Sequence, residues 1–163
     1  MTLTGALLFN IVLYNPLIPN NTGSIGRLCV NTGSSLHLIK PLGFDIDEKA
    51  VRRAGLDYWQ KLDLHVHEDL ESFFAAQNED ARYFYGTTKT DTPYFEQEFQ
   101  ENDFLFFGSE TKGLPAELLA AHPERCMTIP MTKEGRSLNL AVSTGIILYE
   151  AIKQNFTGYK ELM

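Results

Sequence analysis

The sequence predicts an α/β domain with a mostly parallel sheet and helices on both faces. Three observations carry that prediction. Apolar segments of strand length alternate with segments of helical spacing along the whole chain. One of them, Phe104–Phe107 (FLFF), is wholly apolar and reads as a strand buried on both faces. The last two strands each end abruptly in a long polar loop, GSETKGLP after Phe107 and PMTKEGRSLNL after Ile129, and a helix follows each loop. Such exits are how an α/β sheet builds a ligand crevice at the carboxyl edge of its strands.

The elements follow in order. Residues 9–14 (FNIVLY) are a strand centred on Ile11, Val12 and Leu13. Pro16 and Pro19 forbid regular structure over 15–20. Asn20, Asn21 and Thr22 supply N-cap chemistry for a helix over 23–31, and Gly33 ends it. Residues 36–39 (LHLI) are a second strand, closed by Lys40-Pro41-Leu42-Gly43. A short helix is expected over 45–54, capped at Asp45 or Asp47, with Gly55 as its C′ residue. A strand over 62–66, a helix over 70–76 and a strand over 82–85 (RYFY) come next. After Phe104–Phe107, a helix starts at Leu114 with Pro115 in its first turn. A strand over 126–129 precedes the final helix, 138–154. There Leu140, Thr144, Ile147, Leu148, Ala151 and Ile152 are spaced for one buried stripe. No repeat, low-complexity stretch or linker interrupts this series. Residues 10–163 read as a single domain, and 1–9 as an N-terminal extension lacking the basic start and cleavage site of a signal peptide.

Composition narrows the function. A net charge of −7 counts against a protein that coats nucleic acid through overall charge, yet it leaves room for a local basic face. The cations Arg27, Lys40, Arg52, Arg53, Lys89, Lys112, Lys133 and Arg136 mostly stand beside loops with motif character. No apolar run approaches the roughly 20 residues that cross a bilayer. Cys29 and Cys126 both sit in apolar sequence, which fits buried free thiols in a reducing cytosol. There is no GxGxxG after the first strand, no GxxxxGK[ST] and no GxSxG, so dinucleotide, P-loop and nucleophile-elbow chemistry lack support. His65 and His67 share one face of a strand, but no third ligand stands at a sensible spacing, so they read as a solvated face and no metal is expected. His37 and His122 have no visible partners in the sequence.

What remains are three strand ends: Tyr85-Gly86-Thr87, Phe107-Gly108-Ser109-Glu110 and Ile129-Pro130-Met131. Ordinary turn punctuation explains a single glycine, but not long polar loops directly after buried strands; such loops usually serve a ligand. Arg27, four residues after Gly23, is open to two readings, a surface or ion-paired arginine and a functional one. Arg52-Arg53 ahead of Tyr58-Trp59 is either a solvated helix end or a phosphate contact beside a stacking platform, as RNA-binding surfaces use.

Five segments in order resemble a known family. They are IPNNTG with GRLC (18–23, 26–29), LHLIKPLGF (36–44), RRAGLDY (52–58), FGSETKGLP (107–115), and IPM with RSLNL (129–131, 136–140). The chain resembles the SPOUT class of RNA methyltransferases, most closely the minimal single-domain type that methylates the ribose of the tRNA wobble nucleotide. The resemblance covers nearly everything from Asn10 to Tyr149. It implies a deep trefoil knot near the C-terminus, a homodimer with the last helix in the interface, and a cytoplasmic enzyme acting on a tRNA anticodon stem-loop. It implies S-adenosyl-L-methionine as methyl donor, bent in loops that map onto Gly86, Thr87, Gly108, Ser109, Glu110, Ile129, Met131, Ser137 and Leu138. It further implies Arg27 as the residue acting on the 2′-hydroxyl, with Asn21 and Ser137 as positioning groups and Asn139 and Tyr149 in support. Arg52, Arg53 and Arg136 are the implied RNA contacts.

Overall fold

The computed structural model describes residues 9–47, 49, 53 and 56–163. Six strands form one sheet: β1 Asn10–Tyr14, β2 Ser35–Ile39, β3 Leu64–His67, β4 Tyr83–Gly86, β5 Phe104–Phe107 and β6 Cys126–Met127. Every pairing is parallel, and the order is β3-β2-β1-β5-β4-β6. The chain first winds outward from β1 through β2 to β3. It then crosses to β4 and inserts β5 between β4 and β1. The direction of winding therefore changes between β1 and β5, the place where open α/β sheets leave a crevice.

Strand alternation divides the core. Ile11 and Leu13 of β1, Leu105 and Phe107 of β5, and Phe84 of β4 face α1 (Pro19–Thr32) and α4 (Leu140–Gln154). Val12, Phe104, Phe106 and Tyr85 face the other way, toward α2 (Leu70–Ala75) and α3 (Ala116–Ala121). FLFF is buried at all four positions because both faces of β5 are covered by helices. The six stripe residues of α4 are the six it buries. Each fully buried Leu or Ile among them contributes about 1.5–3 kcal/mol relative to exposure. A short α5 (Phe156–Tyr159) closes the described chain.

Several boundaries differ from the sequence expectation. α1 starts at Pro19, not at residue 23, so Asn20, Asn21 and Thr22 lie inside its first turn and the N-cap is Ile18, with no side-chain cap. Proline at this position costs nothing, because a first-turn N–H has no acceptor within the helix. β3 starts two residues later than expected and ends one later, and β4 runs on to Gly86. β6 keeps only two residues, although Thr128 continues with backbone hydrogen bonds to Thr92 and Tyr94. α3 follows Pro115 as N-cap, and α4 begins at Leu140, capped by the Asn139 side chain, which accepts from the N–H groups of Ala141 and Val142. Half of the residues of the helix expected over 45–54, Arg52 among them, lie outside the described residues, as do 1–8 and Gly55.

The histidines differ most. His37 is not partnerless: it is 6% exposed, its ring stacks against His65 at 4.6 Å, and its Nδ1 lies 3.0 Å from Nε2 of His67. His65 pairs with Asp63 at 3.1 Å, and His122 stacks on Tyr85. Parallel pairing places His37 opposite His65, so the strand face expected to be solvated is roofed in part by its neighbour. Burial, then the neighbouring His65 and His67, hold the His37 pKa down to about 3. Among the described residues no group of three or more His, Cys, Asp or Glu is placed to hold a metal. Both cysteines are free and buried, and burial pushes the Cys29 thiol far above its usual range.

Candidate active site

The exits of β4, β5 and β6 close around one cavity of about 380 Å³. Gly86 and Thr87 enter from β4, Gly108, Ser109 and Glu110 from β5, and Ile129, Met131, Ser137 and Leu138 from the segment after β6. All nine residues that the sequence assigns to a cofactor line this one hollow. Thr88, Lys89, Lys112, Leu114 and Thr128 line it too and were not assigned to the cofactor; strand-end glycines mark where a loop turns, not how far its neighbours reach in.

The β5 exit shows why glycine is required there. A Cβ on Gly108 would lie 2.1 Å from the carbonyl carbon of Gly113 and 2.4 Å from the N of Leu114. The loop folds back on itself this tightly: Gly113 N donates to Ser109 O at 3.2 Å, and Lys112 N donates to Ser109 Oγ at 3.0 Å. Gly113 takes φ 69°, a left-handed conformation that glycine adopts freely. Across the cavity, Thr87 N donates to Met127 O at 2.9 Å and pins the β4 exit to β6. The result is a hollow with bare backbone on one side and Leu114, Ile129 and Leu138 on the other.

Glu110 links this hollow to α1. Its carboxylate accepts from the N–H of Leu17 at 2.8 Å, the N–H of Ile18 at 3.0 Å and Nδ2 of Asn21 at 3.2 Å. The start of α1 is thus held by a side chain from the cavity loop, because β1 and β5 are neighbours and their exits meet. Negative charge at a helix start is also favourable electrostatically. Asn21, 8% exposed, accepts in turn from Nδ2 of Asn139 at 3.0 Å. One hydrogen-bonded series therefore runs from the β5 loop through α1 to the cap of α4.

Arg27 and Asn21 do not line the cavity; both ride on α1 beside it. The Arg27 guanidinium carbon sits 5.2 Å from the centre of the Tyr58 ring, and its Nε is buried with no hydrogen-bond partner. Ser137 reaches the cavity rim, Arg136 and Arg53 are exposed, and Tyr149 is half exposed on α4. Chemically the site offers a closed hollow for a small molecule and, on the adjoining helix, a cation with an unused donor edge.

Residues 8–149 match the model of the SpoU rRNA methylase family. The chain belongs to that family. Relatives within the SpoU methylases agree along almost the whole chain. A tRNA (cytidine(34)-2′-O)-methyltransferase of Escherichia coli is 47% identical over 148 residues, covering 90% of this chain and 94% of the relative. Another of the same description, from Burkholderia cenocepacia, is 47% identical over 149 residues, covering 90% and 96%. A solved structure of a protein studied for 2-OH methylation of C/U34 on tRNA superposes with a TM-score of 0.88 at 42% identity, covering 94% of this chain and 99% of that one. An AdoMet-bound rRNA methyltransferase from Sinorhizobium meliloti superposes at 0.81 with 25% identity, covering 90% of this chain and 56% of its own.

Proposed function

We propose that this chain transfers a methyl group from S-adenosyl-L-methionine to the ribose 2′-hydroxyl of the wobble nucleotide of tRNA, a cytidine or a 5-carboxymethylaminomethyluridine. The observation that carries this reading is the convergence of three strand exits on one hollow whose Glu110 ties it to α1, the helix that carries Arg27, an arginine with no hydrogen-bond or ion-pair partner among the described residues. The near-complete overlap with wobble-nucleotide methyltransferases supports it.

The hollow fits the donor by its own chemistry. Gly86 and Gly108 let backbone N–H and C=O groups approach a purine and a ribose, and Leu114, Ile129 and Leu138 supply a dry wall. When bound, the sulfonium supplies an already electrophilic methyl group. The protein then has to bring a ribose hydroxyl into line and favour loss of its proton. Arg27 does the second task as a cation. A guanidinium stays charged and cannot accept the proton, which leaves to solvent; its N–H groups stabilise the negative charge growing on the 2′-oxygen. Asn21, fixed by Glu110 and Asn139, holds the first turn of the helix that carries Arg27. Ser137, exposed and lining the hollow, offers a hydroxyl to orient the ribose. Arg53 and Arg136, both exposed, and Arg52 contact the RNA backbone.

The same reading includes a trefoil knot in the loops around the hollow and a cytoplasmic homodimer. Val142 and Tyr149, 49% and 50% exposed on α4, and Ile18, 45% exposed at the start of α1, give a second copy an apolar surface to cover. No described helix is long and apolar enough to cross a membrane. The test is nucleoside mass mapping of tRNA incubated with the protein and isotope-labelled donor. A labelled 2′-O-methyl group at the wobble position is expected. Label at another tRNA position, or only on ribosomal RNA, overturns the site; no label on any RNA overturns the activity. Sedimentation of the pure protein checks the dimer.

A further inference from the structure

Arg27 and Arg82 are handled in opposite ways by the fold. Arg82 donates from Nε to Asp103 at 2.9 Å and from a terminal nitrogen to the Glu98 carbonyl at 2.7 Å. Arg27 has no ion-pair partner among the described residues, and its buried Nε donates to nothing. A half-buried guanidinium still needs compensation for the water it has lost. Among the described residues the group that supplies it is the ring of Tyr58, 5.2 Å from the guanidinium carbon, whose negative face attracts a cation.

A ring is a different kind of partner from a carboxylate. A carboxylate would engage the guanidinium edge and occupy two of its five N–H donors. A ring beneath the guanidinium takes up none of its N–H groups in an ion pair, so its terminal nitrogens keep their donors. The position of Tyr58 is fixed by its neighbours in the 3-10 turn Leu56–Lys61. Trp59 lies directly over α1 at Gly26, the residue before Arg27. A Cβ there would be 3.2 Å from the Trp59 ring and 3.3 Å from Cδ2 of Leu62. The bare backbone of Gly26 is what lets this turn dock closely enough for Tyr58 to reach the guanidinium.

We propose that Tyr58 is the positioning residue for Arg27, holding the guanidinium through its ring so that the terminal N–H groups stay free for the RNA. This rests on the role given to Arg27 above. It is tested with Tyr58→Phe and Tyr58→Leu, each in the native and the Arg27→Ala background. The readouts are single-turnover methylation of tRNA, donor affinity by calorimetry, and the Nε–Hε resonance of Arg27. Tyr58→Leu should lower kcat up to about tenfold, between the scales of an exposed and a desolvated cation–π contact, with donor affinity unchanged. Tyr58→Phe keeps the ring and should restore kcat to within about twofold. In the Arg27→Ala background neither change should matter. The Arg27 resonance should be ring-shifted upfield in the native protein and in Tyr58→Phe, and lose that shift in Tyr58→Leu. Full turnover by Tyr58→Leu, an equal loss in both backgrounds, or an unshifted native resonance would each overturn the proposal. If the native protein methylates no tRNA, the functional reading falls instead, and the resonance alone decides whether Tyr58 holds Arg27.

Discussion

The two ends of the sheet spend their polar groups differently. At the amino end, Arg82 meets the buried Asp103, whose carboxylate also accepts from the N–H of Gln100 at 2.7 Å, and Asn10 donates to the Asn102 carbonyl. Burial pushes the Asp103 carboxyl up, more than the Gln100 and Arg82 contacts pull it down. At the carboxyl end, glycine loops surround a hollow, and on the helix that leaves it a buried guanidinium nitrogen has no acceptor among the described residues. One end is closed on itself and holds the fold together. The other keeps its donors free, which is destabilising unless something outside the chain takes them up.

Four measurements sharpen that contrast. Arg27→Ala should lower turnover by about 10²–10⁴, the range for loss of a group acting on the developing charge, and leave thermal stability and donor affinity nearly intact. A variant that methylates normally would erase the distinction. Arg82→Ala should do the reverse. It abandons a buried carboxylate and should cost about 3 kcal/mol in denaturant unfolding, the low end of the range because Arg82 keeps some contact with water, with donor affinity unchanged. Gly108→Ala tests the hollow itself. The added Cβ meets backbone, so calorimetry should show donor binding weakened about tenfold or more, and unfolding a loss of about 1–3 kcal/mol.

The smallest effect is in pH. The folded pKa of His37 is lowered to about 3 from an ordinary 6.5, and that of His67 is lowered as well, chiefly by burial. Above pH 6.5 both states hold these rings neutral. As pH falls below 6.5 the unfolded chain takes up protons that the folded one refuses, so stability is lost progressively toward about pH 3. His37 alone contributes at most about 1.4 kcal/mol per pH unit. Stability curves between pH 7 and 4 should slope downward and be flattened by His37→Leu. A slope that survives the substitution would remove His37 from the account.

What could be read from the sequence was what is local. The α4 stripe has a fixed period, FLFF has no polar position, and a long polar loop after a buried strand marks an exit, so the helix, the central strand and the three strand ends follow from neighbours in the chain, whereas Ser137 and Leu138 came from the resemblance. What escaped is settled by contacts between distant segments. Pro19 starts α1 because Glu110, about ninety residues later, takes the Leu17 and Ile18 N–H groups. His37 gains its partners only when β3 pairs with β2. Tyr58 finds Arg27 only after the intervening chain has folded back over α1. The SPOUT resemblance supplied the chemistry that neither period nor spacing could.

The Glu110 carboxylate bridges two segments that would otherwise move separately. The 109–113 bend and the root of the Arg27 helix are thereby tied through one side chain. Any change that one bound molecule works on the affinity for another through this bridge must be returned by the same factor.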